Sequence, residues 1–171
     1  MKKKKILILF GGRSGEHEVS IQSAASVIGS LDPNKYEITP IAIDKRGYSL
    51  SFERSVALLP ASVRQNLSTK ATVILLPEPD LGKEIDVVFP ILHGTYGEDG
   101  TVQGLLELAD VAYVGAGVLG SAASMDKDIM KRLFRERGLP TVDHITLLRG
   151  RCLGRIASIE AQFSYPVFVK P

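Results

Sequence analysis

Apolar positions fall in short runs divided by turn-forming residues. Ile6 to Phe10 is apolar without a break, the pattern of a strand buried on both faces. Gly11 and Gly12 follow at once, and adjacent glycines let backbone come close to another group. Glu16 to Leu31 then predicts a helix, with Val19, Ala24, Val27, Ile28 and Leu31 spaced to share one face. Asp32-Pro33-Asn34 ends it. Tyr36 to Ile43 predicts a second strand, with Asp44 to Gly47 as its turn. Residues 48–71 are mixed and show no clear period. Thr72 to Leu76 predicts a third strand, closed by Pro77-Glu78-Pro79, and Asp86 to Leu92 a fourth. Thr101 to Ala109 predicts a helix that buries Val102, Leu105, Leu106 and Ala109. Val111 to Val114 predicts a fifth strand. Ser121 to Arg137 predicts one helix with Met130, Leu133 and Phe134 inward and a basic outer face, stopped by Gly138-Leu139-Pro140.

Strands alternating with helices define an α/β fold with a doubly wound, mostly parallel sheet of the Rossmann-like kind. Ligands of such sheets sit beyond the carboxyl ends of the strands. Gly11-Gly12, His93-Gly94 and Gly115-Ala116-Gly117 all fall at such ends. After Pro140 the pattern changes: Thr141 to Leu148 reads as a strand, Ile156 to Phe163 as a helix and Pro166 to Lys170 as another strand. The expectation is an N-terminal domain over 1–130 and the beginning of a second domain over 131–171, the chain being a fragment.

Composition narrows the function classes. The 171 residues are 44% hydrophobic, enough for a real core, and the net charge of +2 is too small to argue for nucleic acid. Lys2 to Lys5 reads as a solvated lead-in to the first strand. The apolar run after it is shorter than the roughly 7–15 residues of a signal-peptide core, and no stretch reaches the ~20 apolar residues of a membrane span. Cys152 is the single cysteine, which excludes an internal disulfide and a cysteine-based metal site. A cytoplasmic protein is expected.

Several short motifs carry little. Gly115 to Gly120 spells G-x-G-x-x-G, but a dinucleotide site wants an acidic residue about 20 positions on, at a strand end. Glu136 is at that distance and falls inside the predicted helix. Ser124 to Lys127 spells S-x-x-K without the partner motifs of an acyl-enzyme serine. His17-Glu18 opens like a zinc-binding H-E-x-x-H, but position 21 is Ile. The longer signals say more. Gly11 to Ser20 puts two carboxylates and an imidazole at a helix start. First-turn acids are favourable there, which accounts for Glu18. A carboxylate behind a glycine-rich approach also suits a substrate ammonium. His93 to Gly104 packs glycines and ionisable groups at a strand end.

These residues carry a resemblance. GGRSGEHEVS at 11–20, HGTYGEDGTVQG at 93–104 and Gly115 to Lys127, ending Met-Asp-Lys, resemble the N-terminal half of the D-alanine–D-alanine ligases of the ATP-grasp superfamily. Tyr165 to Pro171 is similar to the first ATP-contacting strand of an ATP-grasp domain. The resemblance covers most of the chain and loosens at 48–71 and 149–162. It implies a pre-ATP-grasp domain followed by the start of an ATP-grasp α+β domain. It also implies an activity: ATP-dependent joining of two D-alanines through an acyl phosphate, for peptidoglycan precursors. By matching position, Glu16 would hold the ammonium of the first D-alanine as the catalytic and substrate-binding carboxylate. Val19 would line that pocket and His93 would help close it, while Lys127 and Lys170 would contact ATP phosphates. No residue here is expected to bind metal. The Mg²⁺ ligands, the oxyanion-stabilising Arg and the ATP-covering loop are expected beyond residue 171. The resemblance implies a homodimer and leaves D-lactate or D-serine open as second substrate. A dinucleotide-binding module is the rival from outside the family.

Overall fold

The structure is a computed structural model that describes residues 2–68, 84–148, 150 and 154–170. Contacts divide the chain into two compact units, Met1–Lys127 and Asp128–Pro171. The described elements of the first unit are β1 (Lys4–Gly11), α1 (His17–Ser30), β2 (Tyr36–Ile43), α2 (Phe52–Leu58), α3 (Ala61–Arg64), β3 (Val87–Leu92), α4 (Thr101–Leu108) and α5 (Val118–Met125).

The three strands form one parallel sheet in the order β2-β1-β3. Gly11 lies opposite both Ile43 and Leu92, so all three strands end at one level and their outgoing loops leave from one edge. β1 is central because both of its faces are apolar. Leu7 and Leu9 pack with Val88, Leu92, Val102 and Leu106 on one side. Ile6, Ile8 and Phe10 pack with Ala24, Ile28, Leu59 and Val63 on the other. Helices therefore cover both faces, α4 one and α1 to α3 the other, which is the doubly wound arrangement the alternation predicts. Each fully buried side chain of this size contributes about 1.5–3 kcal/mol of transfer free energy.

Several expectations change. Residues 48–71 are not featureless as far as they are described. Ser51 accepts the amide of Arg54 at 3.4 Å and caps α2, and α3 follows behind Pro60. Both helices are too short to show a period. The expected strand at 72–76 lies outside the described residues. The fifth strand is reduced to a parallel bridge between Val88 and Tyr113, with Val88 N–H donating to Ala112 at 2.8 Å and Val114 N–H to Val88 at 2.9 Å. The helix expected over 121–137 is two helices. Asp126 takes an extended conformation (φ −81°, ψ 103°) between α5 and the next helix. Asp favours such boundaries because its side chain competes for local backbone groups.

The second unit contains α6 (Lys127–Glu136), whose first residue belongs to the first unit, and α7 (Ile156–Gln162). Gly138, at φ 68°, ends α6 as expected, and Leu139 N–H closes back on Phe134 at 2.9 Å. The inward role expected for Met130, Leu133 and Phe134 is not seen: Leu133 is 51% and Phe134 39% exposed, and no residue of α6 is buried. Residues 141–148 and 166–170 form no strand. Both are rich in apolar and β-branched residues, but a strand exists only where a neighbour completes its ladder. Residues 141–146 instead bond back to α6. Thr146 donates to Asp128 at 2.8 Å, and Arg135 Nε donates to Thr141 at 3.2 Å.

Candidate functional site

The carboxyl edge of the sheet is where this fold places ligands, and its first loop is shaped by glycine. Gly11 and Gly12 have φ of 87° and 96°. A side chain on Gly11 would run into the Ile43 carbonyl and come within 3.0 Å of His17 Cε1. The turn thus lies flat against the end of β2, and Gly12 N–H donates to Ile43 at 2.8 Å. His17 is buried, with Nδ1 2.8 Å from the Gly12 carbonyl, so it braces the turn. Ser20 is also buried. Its Oγ accepts Gly11 N–H at 2.7 Å and donates to the Ile91 carbonyl, which ties α1 to the ends of β1 and β3 together.

Helix α1 divides its residues between two stripes. His17, Ser20, Ala24 and Ile28 face the core. Val19, expected there by spacing, is 50% exposed. One residue of rotation turns it about 100° off the buried stripe. It shares its stripe with Ser23, one turn on, and Ser23 Oγ is 3.2 Å from His93 Nε2. His93 is the first residue after β3 and is half-buried. Ser23, Ser20, Arg13 and Tyr96 belong to this corner and were missed from sequence. For Ser23 the signal was its i+4 relation to Val19.

The two carboxylates separate in role. Glu18 is paired with Lys45 at 2.8 Å, and that lysine holds its carboxyl below the usual range. Glu16 precedes α1 and is exposed. Its amide donates to Ser14 Oγ at 3.2 Å, and its Oε2 would stand 3.1 Å from a Cβ placed on Gly94. The missing side chain of Gly94 therefore admits the Glu16 carboxylate against backbone of the β3 loop. Among the described residues no cation pairs with Glu16. That loop is braced from within. Gly94 N–H donates to Glu98 at 2.7 Å, Asp99 accepts the amides of Tyr96 at 2.8 Å and Thr101 at 3.0 Å, and buried Gln103 donates to the Gly97 carbonyl at 2.9 Å.

Glu16, Val19 and His93 thus lie at one corner, through α1 and the loops after β1 and β3. Lys127 is exposed at the end of the first unit, and Lys170 is exposed in the second. Gly115 to Gly120 leads into α5 at Val118, while Glu136 ends α6 rather than a strand, against the dinucleotide pattern. A cavity of about 320 Å³ lined by Glu107, Asp110, Val111, Ala112 and Tyr113 lies at the entry to the strand-like segment, the wrong end of a parallel sheet for a ligand. Among the described residues no three His, Cys, Asp or Glu side chains group as a metal site, and no helix is long and apolar enough to cross a membrane.

Fold and corner together define a doubly wound α/β domain whose carboxyl edge carries, among the described residues, a carboxylate without a paired cation beside glycine-lined backbone. Residues 5–116 match the family model described as D-ala D-ala ligase N-terminus. The chain belongs to the D-alanine–D-alanine ligase family. It is 48% identical to a D-alanine–D-alanine ligase of Solibacter usitatus over 99% of this chain and 45% of the relative. The solved D-alanine–D-alanine ligase of Coxiella burnetii superposes with a TM-score of 0.74 at 38% identity, over 95% of this chain and 50% of that one. The VanG D-Ala:D-Ser ligase of Enterococcus faecalis gives 0.71 at 34%, over 96% and 51%. The chain spans about half the length of the curated relatives it matches.

Proposed function

We propose that this chain is the first-substrate half of an ATP-dependent D-alanine–D-alanine ligase. The observation that carries the reading is Glu16: a carboxylate set against Gly94 at the open ends of parallel strands, its own amide held by Ser14, with no paired cation among the described residues. An α-ammonium supplies the missing charge, and charge-assisted hydrogen bonds to a carboxylate are the strong ones. Val19 lines the same pocket, and His93, steadied by Ser23, closes it. Lys127 and Lys170 serve ATP phosphates as compact point charges with three donors each. One solved relative is an ATP complex, which supports ATP as co-substrate.

In the proposed reaction the first D-alanine carboxylate attacks the terminal phosphorus of ATP, the bond from that phosphorus to the bridging oxygen breaks, ADP leaves, and the carboxylate becomes an acyl phosphate. The amine of the second D-alanine adds to that carbonyl, and phosphate leaves from the tetrahedral intermediate. Glu16 does not transfer the phosphoryl group; it orients the first substrate so that its carboxylate, not its amine, meets ATP. Mg²⁺ would neutralise phosphate charge in such chemistry. The described residues group no ligand set for it. A homodimer and a cytoplasmic location belong to the same proposal. D-Alanine is preferred as second substrate because curated relatives at 48% and 45% identity carry the name D-alanine–D-alanine ligase.

The test is a phosphate-release assay on the full-length enzyme with D-alanine, D-lactate and D-serine offered as second substrate. D-Alanyl-D-alanine is the expected main product. Glu16→Gln should raise the KM for the first D-alanine by about tenfold or more, since a hydrogen bond to a charged group is worth roughly 1.5–3 kcal/mol, and leave the KM for ATP unchanged. An unaltered D-alanine dependence removes Glu16 from the site.

A further inference from the structure

The loops after β1, β2 and β3 leave the sheet at one level, and one side chain runs across all of them. The guanidinium carbon of Arg13 stands 4.6 Å from the centre of the Tyr96 ring, inside the range of a cation–π contact. The aliphatic stem of the same arginine crosses the β2 turn, where a Cβ on Gly47 would come within 2.8 Å of Arg13 Cδ. The turn is free of a side chain where the arginine lies.

Tyr96 supplies a second, independent observation. It has φ 67°, a conformation uncommon for a bulky residue and one that marks functional corners when the surroundings hold it. Here they do: its amide is fixed by Asp99 at 2.8 Å, and the loop is pinned by Glu98 on Gly94 N–H at 2.7 Å. Arg13 is three residues before Glu16, and Tyr96 is three after His93.

We infer that Arg13 and Tyr96 are positioning residues that fasten the Glu16 segment to the His93 segment and so set the width of the amino-acid pocket. This rests on the proposed role of Glu16. Neither residue touches the reacting atoms; their stack holds the two loops that do. Loss of the stack leaves every pocket group in place but widens their mutual distribution, which weakens capture of the small substrate and leaves ATP untouched.

The test is a double-mutant cycle in the full-length enzyme. Arg13→Ala and Tyr96→Leu should each raise the KM for the first D-alanine by about two- to fivefold, as suits an exposed cation–π contact, with kcat and the KM for ATP unchanged. The double variant should be no worse than the worse single one. Tyr96→Phe keeps the ring and should behave as wild type. Additive single effects, a Tyr96→Phe as damaging as Tyr96→Leu, or an equal rise in the KM for ATP would each overturn the inference. Thermal unfolding of the same four proteins reads the contact separately. A coupled unfolding cycle beside an additive kinetic cycle keeps the contact and removes its positioning role. An unchanged D-alanine KM in Glu16→Gln overturns the parent reading instead.

Discussion

At the scale of single residues, the corner depends on polar groups that the apolar pattern cannot reveal. Ser20 sits fully buried in the helix stripe that otherwise carries Ala24 and Ile28. Its hydroxyl receives Gly11 N–H and reaches Ile91, at the point where β1 turns into the Glu16 loop. Ser20→Ala keeps the helix, since Ala is the better helix former, but strands a buried donor. The expected loss is about 1–3 kcal/mol, read as a lower urea midpoint with an unchanged m-value. A variant as stable as wild type would mean that Gly11 finds another acceptor and that Ser20 does not fasten the turn.

At the scale of elements, the loop at 93–100 is braced by its own carboxylates. Burial works against ionisation of Asp99, but hydrogen bonds from Tyr96 and Thr101 outweigh it and hold the carboxyl below the usual aspartate range. A depressed folded-state pKa means stability that is present at neutral pH and lost as pH falls through the folded value. Asp99→Asn should therefore be less stable than wild type near neutral pH, with the gap closing in acid below the ordinary aspartate range. A gap that widens in acid would reverse the assignment. The same contrast separates what could be read in advance from what could not. β1 and β3 were legible as short unbroken apolar runs, and β2, α1 and α4 from the spacing of their apolar residues. α2 and α3 span two turns or fewer, so no period develops. Asp126 divides the expected 121–137 helix by a local preference that an apolar stripe on either side conceals. Of the proposed site, Glu16, Val19 and His93 were named only through the resemblance of their motifs to a known family, whereas Arg13 and Tyr96 needed the strand register that brings their loops together.

At the scale of the whole chain, the two units differ in kind. The first closes a sheet between apolar layers on both faces. The second leaves Leu133, Phe134, Phe168 and Val169 open, the last two at 95% and 92%, and its residues 141–148 and 166–170 form no strand. Phosphoryl transfer depends on several charges converging on the terminal phosphate. The proposed function assigns Lys127 and Lys170 to that task, and no carboxylates group as a metal site among the described residues. It also spans about half of its relatives' length. On the proposed function, amino-acid capture falls to the first unit and phosphate chemistry needs more than these residues. The 171-residue chain, given ATP, Mg²⁺ and D-alanine, should release no phosphate above a protein-free control. The full-length enzyme under the same conditions should release it in step with dipeptide. Phosphate release by the chain alone, abolished by Lys127→Ala, would show that these residues suffice for the first half-reaction and would move the chemistry into this half of the protein.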